Sequence, residues 1–220
     1  MCCALMTARC VVTQAHVERT AIYADGMAEV MGLDWGRRRA LRIGALLHDL
    51  GKIGVPDHIL QKQGKLTPAE FEVMKIHPGL GAEILSGYRF GCPVPDAVRW
   101  HHEQWAGGGY PDGLKGEEIP LTARILSVVD VFDAVREERV YRKAMTRAAA
   151  IEVLRAGVGT MFDPVVVRAF IQNLHRFERE IERQQFTHTQ LVVPPLSQSA
   201  LRAAPAAGYA EEGLSTPRPA

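Results

Sequence analysis

At residues 46–52 the sequence reads Leu-Leu-His-Asp-Leu-Gly-Lys, so a histidine, a carboxylate and a lysine directly follow an apolar run. The run itself, residues 40–47, is apolar almost all round, which predicts a deeply buried helix. A buried carboxylate such as Asp49 is costly unless it is paired, and a metal ion is a partner that the adjacent imidazole of His48 can share. The stretch therefore predicts a metal site at the end of a buried helix.

The composition excludes several classes of protein. A chain of 220 residues has room for one ordinary domain with some length left over. Twenty-six basic and 25 acidic side chains give a net charge of +1, so we expect binding to neither a nucleic acid polymer nor a membrane surface. The four cysteines lack CxxC spacing, and no stretch approaches the roughly 18 apolar residues of a membrane helix. These features predict a cytoplasmic protein.

The hydrophobic periodicity predicts an all-α fold, a compact bundle of roughly seven helices with no strand. We place the domain at residues 1–185 and predict a disordered tail, rich in proline and alanine, at residues 186–220. The predicted helices cover about residues 13–31, 35–47, 67–77, 93–102, 120–136, 146–156 and 163–181.

Further side chains of the kinds that bind metal ions recur along the predicted helices. Imidazoles and carboxylates together suit iron, manganese, zinc or nickel. One ion with an open coordination position cannot use so many ligands, so their number predicts two ions. A structural role stays open for His16 and for His77 when each is considered alone. The candidate ligands are His16, His48, Asp49, His77, His101, His102 and Asp130.

The residue types around the candidate metal site indicate a reaction. A carboxylate such as Asp49 can bridge two ions about 3.5–4 Å apart, and such pairs hold a hydroxide for in-line attack on phosphorus. Lys52 would offset the charge that builds on the phosphoryl oxygens. Asp49 and Lys52 are therefore the predicted catalytic residues, and the predicted reaction is hydrolysis of a phosphate ester. Asp133, which can cap, pair or touch substrate, follows Asp130 by one helical turn.

Several motifs occur in order along the chain and resemble one family. They are residues 48–54 (His-Asp-Leu-Gly-Lys-Ile-Gly), His77-Pro78, His101-His102-Glu103, residues 109–114 (Gly-Tyr-Pro-Asp-Gly-Leu), residues 129–134 (Val-Asp-Val-Phe-Asp-Ala) and Phe162-Asp163-Pro164. Through these motifs the chain resembles the HD-GYP branch of the HD phosphohydrolase superfamily from about His16 to Phe170. The resemblance implies an all-helical HD fold. It also implies hydrolysis of cyclic di-GMP to the linear dinucleotide pGpG and, in some members, to GMP.

The resemblance also implies the site. The same seven side chains match the family's metal ligands, with Asp49 bridging two divalent ions, iron or manganese. Val12 stands where some members have a glutamate for a third metal, which favours two ions here. Cyclic di-GMP is the implied small-molecule partner, and a signalling protein or a homodimer is left open as protein partner. The implied substrate-side residues are Gly109, Tyr110, Pro111, Asp133, Arg139, Arg142 and Lys143.

Besides Val12, several positions depart from the family pattern. Ala106 and Gly108 stand where polar residues are common, which removes hydrogen-bonding groups and predicts a looser loop. Glu137 and Glu138 add negative charge beside the substrate-side residues. Two alternatives therefore stay open. One is a catalytically weak or inactive module acting in protein interaction or nucleotide binding, and the other is a hydrolase of another nucleotide.

Overall fold

The computed structural model describes residues 14–138 and 143–191, with side chains up to residue 184. Within these ranges the regular structure is helical, apart from an isolated bridge between Val158 and Phe162. This confirms the predicted all-α class. The helices are α1 (Gln14–Val30), α2 (Trp35–Leu47), α3 (Asp57–Leu60), α4 (Pro68–Met74), α5 (His77–Ser86), α6 (Val94–Arg99), α7 (Leu121–Arg136), α8 (Arg147–Ala156) and α9 (Pro164–Leu191), with 3-10 turns at Leu50–Gly54 and Gly116–Glu118.

Two of these helices were not predicted from the sequence. Helix α3 is a single turn, and α5 begins at His77, where we expected a helix to be interrupted by Pro78. Proline is accepted in the first turn of a helix because an N–H group there has no partner within the helix. His77 therefore opens a helix instead of closing one. In contrast, α6 ends at Arg99, so the histidine doublet lies in the turn that follows it.

The main core fixes how α1, α2, α7 and α9 lie against one another. Tyr23 of α1, Phe132 of α7 and Phe170 of α9 form edge-to-face ring contacts, with centroids 5.7 Å apart for Tyr23 and Phe132 and 5.0 Å for Phe132 and Phe170. Met27 and Leu41 are fully buried in the same cluster. Because burying each such side chain stabilises the fold by about 1.5–3 kcal/mol, the core holds these helices firmly. Helices α1 and α7 carry His16 and Asp130, and His48 directly follows α2.

A backbone contact brings the 3-10 turn after α2 against the start of α5. A Cβ atom on Gly51 would lie only 1.9 Å from the carbonyl oxygen of His77 and 2.5 Å from the amide nitrogen of Gly81. Only glycine allows this approach, since any side chain would collide with backbone. The contact places Asp49 and Lys52 beside His77.

The C-terminal part of the chain contains the predicted domain boundary. The first compact unit ends at Glu182, and α9 continues to Leu191. The boundary that we placed after residue 185 stays a prediction. Residues 192–220 lie outside the described residues, so the predicted tail stays a prediction there. Among the residues that are described, no helix is long and apolar enough to span a bilayer. The cytoplasmic location likewise stays a prediction.

Candidate metal centre

The fold brings all seven predicted ligands into one region. His16, His48 and Asp130 form one group, in which the three ligand atoms lie within 4.8 Å of one another. A second group meets the same distance limit and consists of His77, His101 and His102. Both groups are largely buried, although they come from four helices and one turn. Each group is able to bind a metal ion.

Asp49 lies between the two groups. Its Oδ2 atom is 3.5 Å from Nε2 of His48, and its Oδ1 atom is 3.6 Å from Nε2 of His77. One carboxylate oxygen thus faces each group, which is the arrangement that a bridging carboxylate requires.

The histidine rings are oriented by bonds on their outer side. Nδ1 of His48, His77 and His101 lies 3.0, 2.8 and 2.6 Å from the backbone carbonyl oxygen three residues earlier. A carbonyl only accepts, so Nδ1 carries the proton and Nε2 presents its lone pair to the site. Nε2 of His77 and of His101 is buried and has no hydrogen-bond partner among the described residues. Such atoms are costly unless a ligand satisfies them, so the residues fit a bound metal.

The electrostatics of the second group favour neutral imidazoles. Burial lowers the pKa of His77 to about 4 and that of His102 to about 3. Burial, helped by the neighbouring imidazoles, also holds the pKa of His101 well below its usual range. Near neutral pH all three rings are therefore unprotonated, which is the form that binds metal.

The first group carries charge instead. Burial by itself would lower the pKa of His16, but the hydrogen bonds that its ring donates to Asp130 and Asp133 outweigh burial and raise the pKa to about 10. For Asp49, burial opposes ionisation, but Lys52 and His48 more than compensate and hold the pKa of the carboxyl well below its usual range. Without a metal ion, protonated His16 and Lys52 thus offset the buried carboxylates, and an ion bound at Nε2 of His16 would take the place of the proton there.

Lys52 contacts the carboxylate of Asp49. Its Nζ donates to Oδ2 of Asp49 over 2.7 Å, and its side chain is 21% exposed. The ammonium group therefore lies between the buried carboxylate and solvent, and its catalytic role stays a prediction.

Asp133 forms pairs with two side chains of α1. Its Oδ2 lies 2.7 Å from Nδ1 of His16, its Oδ1 accepts from Nε of Arg19 over 2.7 Å, and the residue is only 2% exposed. The structure thus shows the pairing that the sequence left open, and the contact with a nucleotide stays a prediction. Arg19 was missed from the sequence. The signal that could have found it is its position one helical turn after His16, on the same face.

The segment Gly109–Pro111 borders the second group. The Tyr110 ring stacks on His102 with centroids 4.9 Å apart, and Lys75 Nζ lies 5.9 Å from the Tyr110 centroid. A Cβ on Gly109 would lie 2.3 Å from the amide nitrogen of Gln104, so this glycine is required by backbone packing. The remaining predicted substrate-side residues are Pro111 and Lys143, which are exposed, and Arg139 and Arg142, which lie outside the described residues.

Glu103, which follows the histidine doublet, anchors this loop. Its Oε1 accepts from the amide nitrogens of Asp112 and Gly113 over 2.7 and 3.0 Å. The amide nitrogen of Ala106 also donates to the carbonyl of Thr160 over 2.8 Å. These loop contacts need no polar side chain at position 106, and the predicted loosening stays a prediction.

Comparison with known protein families agrees with this site. The model of the family described as HD domain matches residues 1–166. The chain belongs to the HD domain family. This confirms the superfamily predicted from the His48-Asp49 pair and the motifs around it.

Individual relatives of this HD domain have names that state an activity. The chain is 45% identical over 172 residues to the cyclic di-GMP phosphodiesterase response regulator RpfG of Xanthomonas campestris, covering 76% of this chain and 45% of the relative. It is 37% identical over 167 residues to the 3'3'-cGAMP-specific phosphodiesterase 2 of Vibrio cholerae, covering 75% of this chain and 32% of that protein. The chain therefore spans less than half the length of these relatives.

A solved structure supports the fold. The crystal structure of a cyclic GMP-AMP specific phosphodiesterase from V. cholerae superimposes with a TM-score of 0.62 at 20% identity, covering 85% of this chain and 52% of that one. At this identity the similarity establishes the HD fold alone.

Proposed function

We propose that this HD domain is a metal-dependent phosphodiesterase that hydrolyses cyclic di-GMP to pGpG and, in a second cleavage, to GMP. The observation that carries the proposal is Asp49, whose two oxygens face the two groups of ligand atoms. The relative named as a cyclic di-GMP phosphodiesterase, 45% identical, supports the substrate.

The proposed cofactors are two divalent ions, iron or manganese. His16, His48 and Asp130 would hold one ion, and His77, His101 and His102 the other, with Asp49 as a ligand of both. When bound, such a pair supplies Lewis-acid chemistry, because it lowers the pKa of a water molecule and neutralises charge on a phosphoryl group. The donor set of imidazoles and carboxylates without a thiolate suits iron and manganese.

Two further side chains support a phosphate ester as substrate. Lys52 is a compact cation beside Asp49, and it would offset the negative charge that develops on the phosphoryl oxygens. Burial raises the pKa of Tyr110, so its hydroxyl group stays protonated and available to donate a hydrogen bond to a substrate oxygen.

The direct test is product analysis. Anaerobically purified protein is incubated with cyclic di-GMP and added iron(II) or manganese, and the nucleotides are separated by chromatography. We expect pGpG or GMP from the wild type and from Asp25→Asn, which removes a carboxylate on α1 that bonds only Arg38 in the described contacts. Asp49→Ala should form neither product. Intact cyclic di-GMP after incubation with the metal-loaded wild type would contradict the proposal.

A second candidate substrate is 3'3'-cGAMP, which the relative from V. cholerae at 37% identity favours. The candidate ligand set suits any phosphodiester, so the choice of base would fall to residues other than the metal ligands, such as the loop around Tyr110. Equal concentrations of the two cyclic dinucleotides in one reaction would give the ratio of their kcat/KM values. A metal-loaded chain that binds either nucleotide but cleaves neither would support the non-catalytic alternative.

A further inference from the structure

We infer that Asp133 and Arg19 form a positioning pair that sets the metal affinity of the His16 group, and that the two metal positions are therefore unequal. The inference rests on the metal pair proposed above, but not on the proposed substrate.

The inference begins with a difference between the histidines. His48, His77 and His101 each use a backbone carbonyl to hold Nδ1, whereas His16 uses the Asp133 side chain over 2.7 Å. A carboxylate accepts a stronger hydrogen bond than a backbone carbonyl does. It therefore fixes the imidazole ring more firmly and makes Nε2 a more basic ligand for a metal ion. Among the histidines with a described Nδ1 contact, only His16 has a side chain as its Nδ1 partner. A single substitution can therefore remove that hydrogen bond.

Arg19 holds that carboxylate in place. Its Nε and Nη2 atoms donate to the two Asp133 oxygens over 2.7 and 2.8 Å, which is a two-pronged contact that fixes the plane of the carboxylate. Arg19 also lies 3.9 Å from Glu137, and its own side chain is 24% exposed. The partly exposed guanidinium group of Arg19 therefore offsets the negative charge of the buried Asp133 carboxylate.

The geometry confines the effect to one metal position. Nε2 of His16 points at Oδ1 of Asp130 over 3.3 Å, so the orientation of the ring decides whether these two atoms can share an ion. The other group, His77, His101 and His102, has no described contact with Asp133 or Arg19. Loss of Asp133 should weaken the first position and leave the second one intact.

The test is calorimetric titration of the metal-free full chain with manganese, without any nucleotide. We expect two bound ions in the wild type. In Asp133→Asn one ion should bind with unchanged affinity and the other about 10–100-fold more weakly. The matched control is Asp25→Asn, the same substitution at a carboxylate on α1 that Arg38 holds over 2.9 and 2.8 Å. The control should bind both ions as the wild type does.

A second variant guards against loss of folding. Asp133→Asn leaves Arg19 without its main partner, whereas the double variant Asp133→Asn/Arg19→Gln removes both charges together. It should give the same unequal titration with an unchanged far-ultraviolet circular dichroism spectrum.

Combination with ligand variants shows which position is affected. His77→Ala leaves the His16 position, so adding Asp133→Asn should weaken the remaining ion by the same factor. Adding Asp133→Asn to His16→Ala should leave the affinity for the remaining ion unchanged. Two ions of wild-type affinity in Asp133→Asn/Arg19→Gln, or an equal loss of affinity at both metal positions, would overturn the inference. Because no substrate is present, these results are independent of whether cyclic di-GMP is hydrolysed.

Discussion

His48 and Asp49 are neighbours in sequence and lie where α2 ends. His48 is the C-terminal cap of α2, and Asp49 leaves the helical conformation with φ −90° and ψ 3° before the 3-10 turn begins. Nε2 of His48 and Oδ2 of Asp49 lie 3.5 Å apart, so both side chains reach one site. The turn that starts there carries Lys52, whose Nζ lies 2.7 Å from the same Oδ2 atom.

Lys52 can be tested apart from metal binding. Lys52→Ala should lower kcat for cyclic di-GMP by about 10²–10³-fold, because a charge placed at the developing oxyanion is lost. Steady-state kinetics measures the effect, and metal analysis should still find two ions per chain. Lys65→Ala, an exposed lysine after the turn, serves as the control. Loss of a metal ion in Lys52→Ala would instead mean that the lysine acts through Asp49.

Gly51 makes a prediction about stability. Gly51→Ala should destabilise the fold by about 3 kcal/mol, because the new methyl group would collide with the His77 carbonyl and not with a movable side chain. Urea denaturation measures the difference. Gly87→Ala is the control, since its Cβ would meet only an ordinary 3.5 Å contact with the Ile84 carbonyl. Equal stabilities of the two variants would show that α5 can move away from the turn.

At the scale of elements, one turn and one loop connect the ligands to the substrate side. The turn after α6 carries His101, His102 and Glu103, and Glu103 binds the backbone of the loop that presents Tyr110. Arg99 and Trp100 add a second attachment, since both donate to the Asp112 carboxylate over 2.8 Å. The metal ion and the substrate proposed above would therefore depend on one support.

Glu103 tests this support. Glu103→Ala removes the acceptor for two backbone N–H groups, and hydrogen bonds to a charged group contribute about 1.5–3 kcal/mol each. We expect KM for cyclic di-GMP to rise about tenfold or more, which corresponds to about 1.4 kcal/mol. Glu103→Gln keeps an oxygen acceptor and should stay close to wild type. Unchanged KM in the alanine variant would show that the loop is held without Glu103.

At the scale of the whole molecule, metal binding should tie the helices together. The candidate ligands come from α1, α2, α5, α7 and the turn after α6, so each ion joins elements that are distant in sequence. An unfolded chain does not hold these ligands together, and binding energy therefore becomes folding energy.

Thermal unfolding measures this coupling. Manganese at about 100 times its Kd should stabilise the fold by about 2.7 kcal/mol per site, which raises Tm by roughly 5–10 °C for each occupied site in a domain of this size. A chelator should reverse the rise. His48→Ala should lose part of it, whereas His58→Ala, on an exposed position of α3, should keep all of it. A rise that His48→Ala retains in full would contradict the assignment of the ligands.

The sequence by itself determined the helical class, the family and the set of candidate ligand side chains. These features are local, because periodicity and motif order are written in neighbouring residues. The tertiary structure alone decided that the ligands divide into two groups with Asp49 between them. It also placed Asp133 behind His16, 117 positions away in sequence. That contact depends on the packing of α1 against α7, and no local pattern records how two distant helices meet.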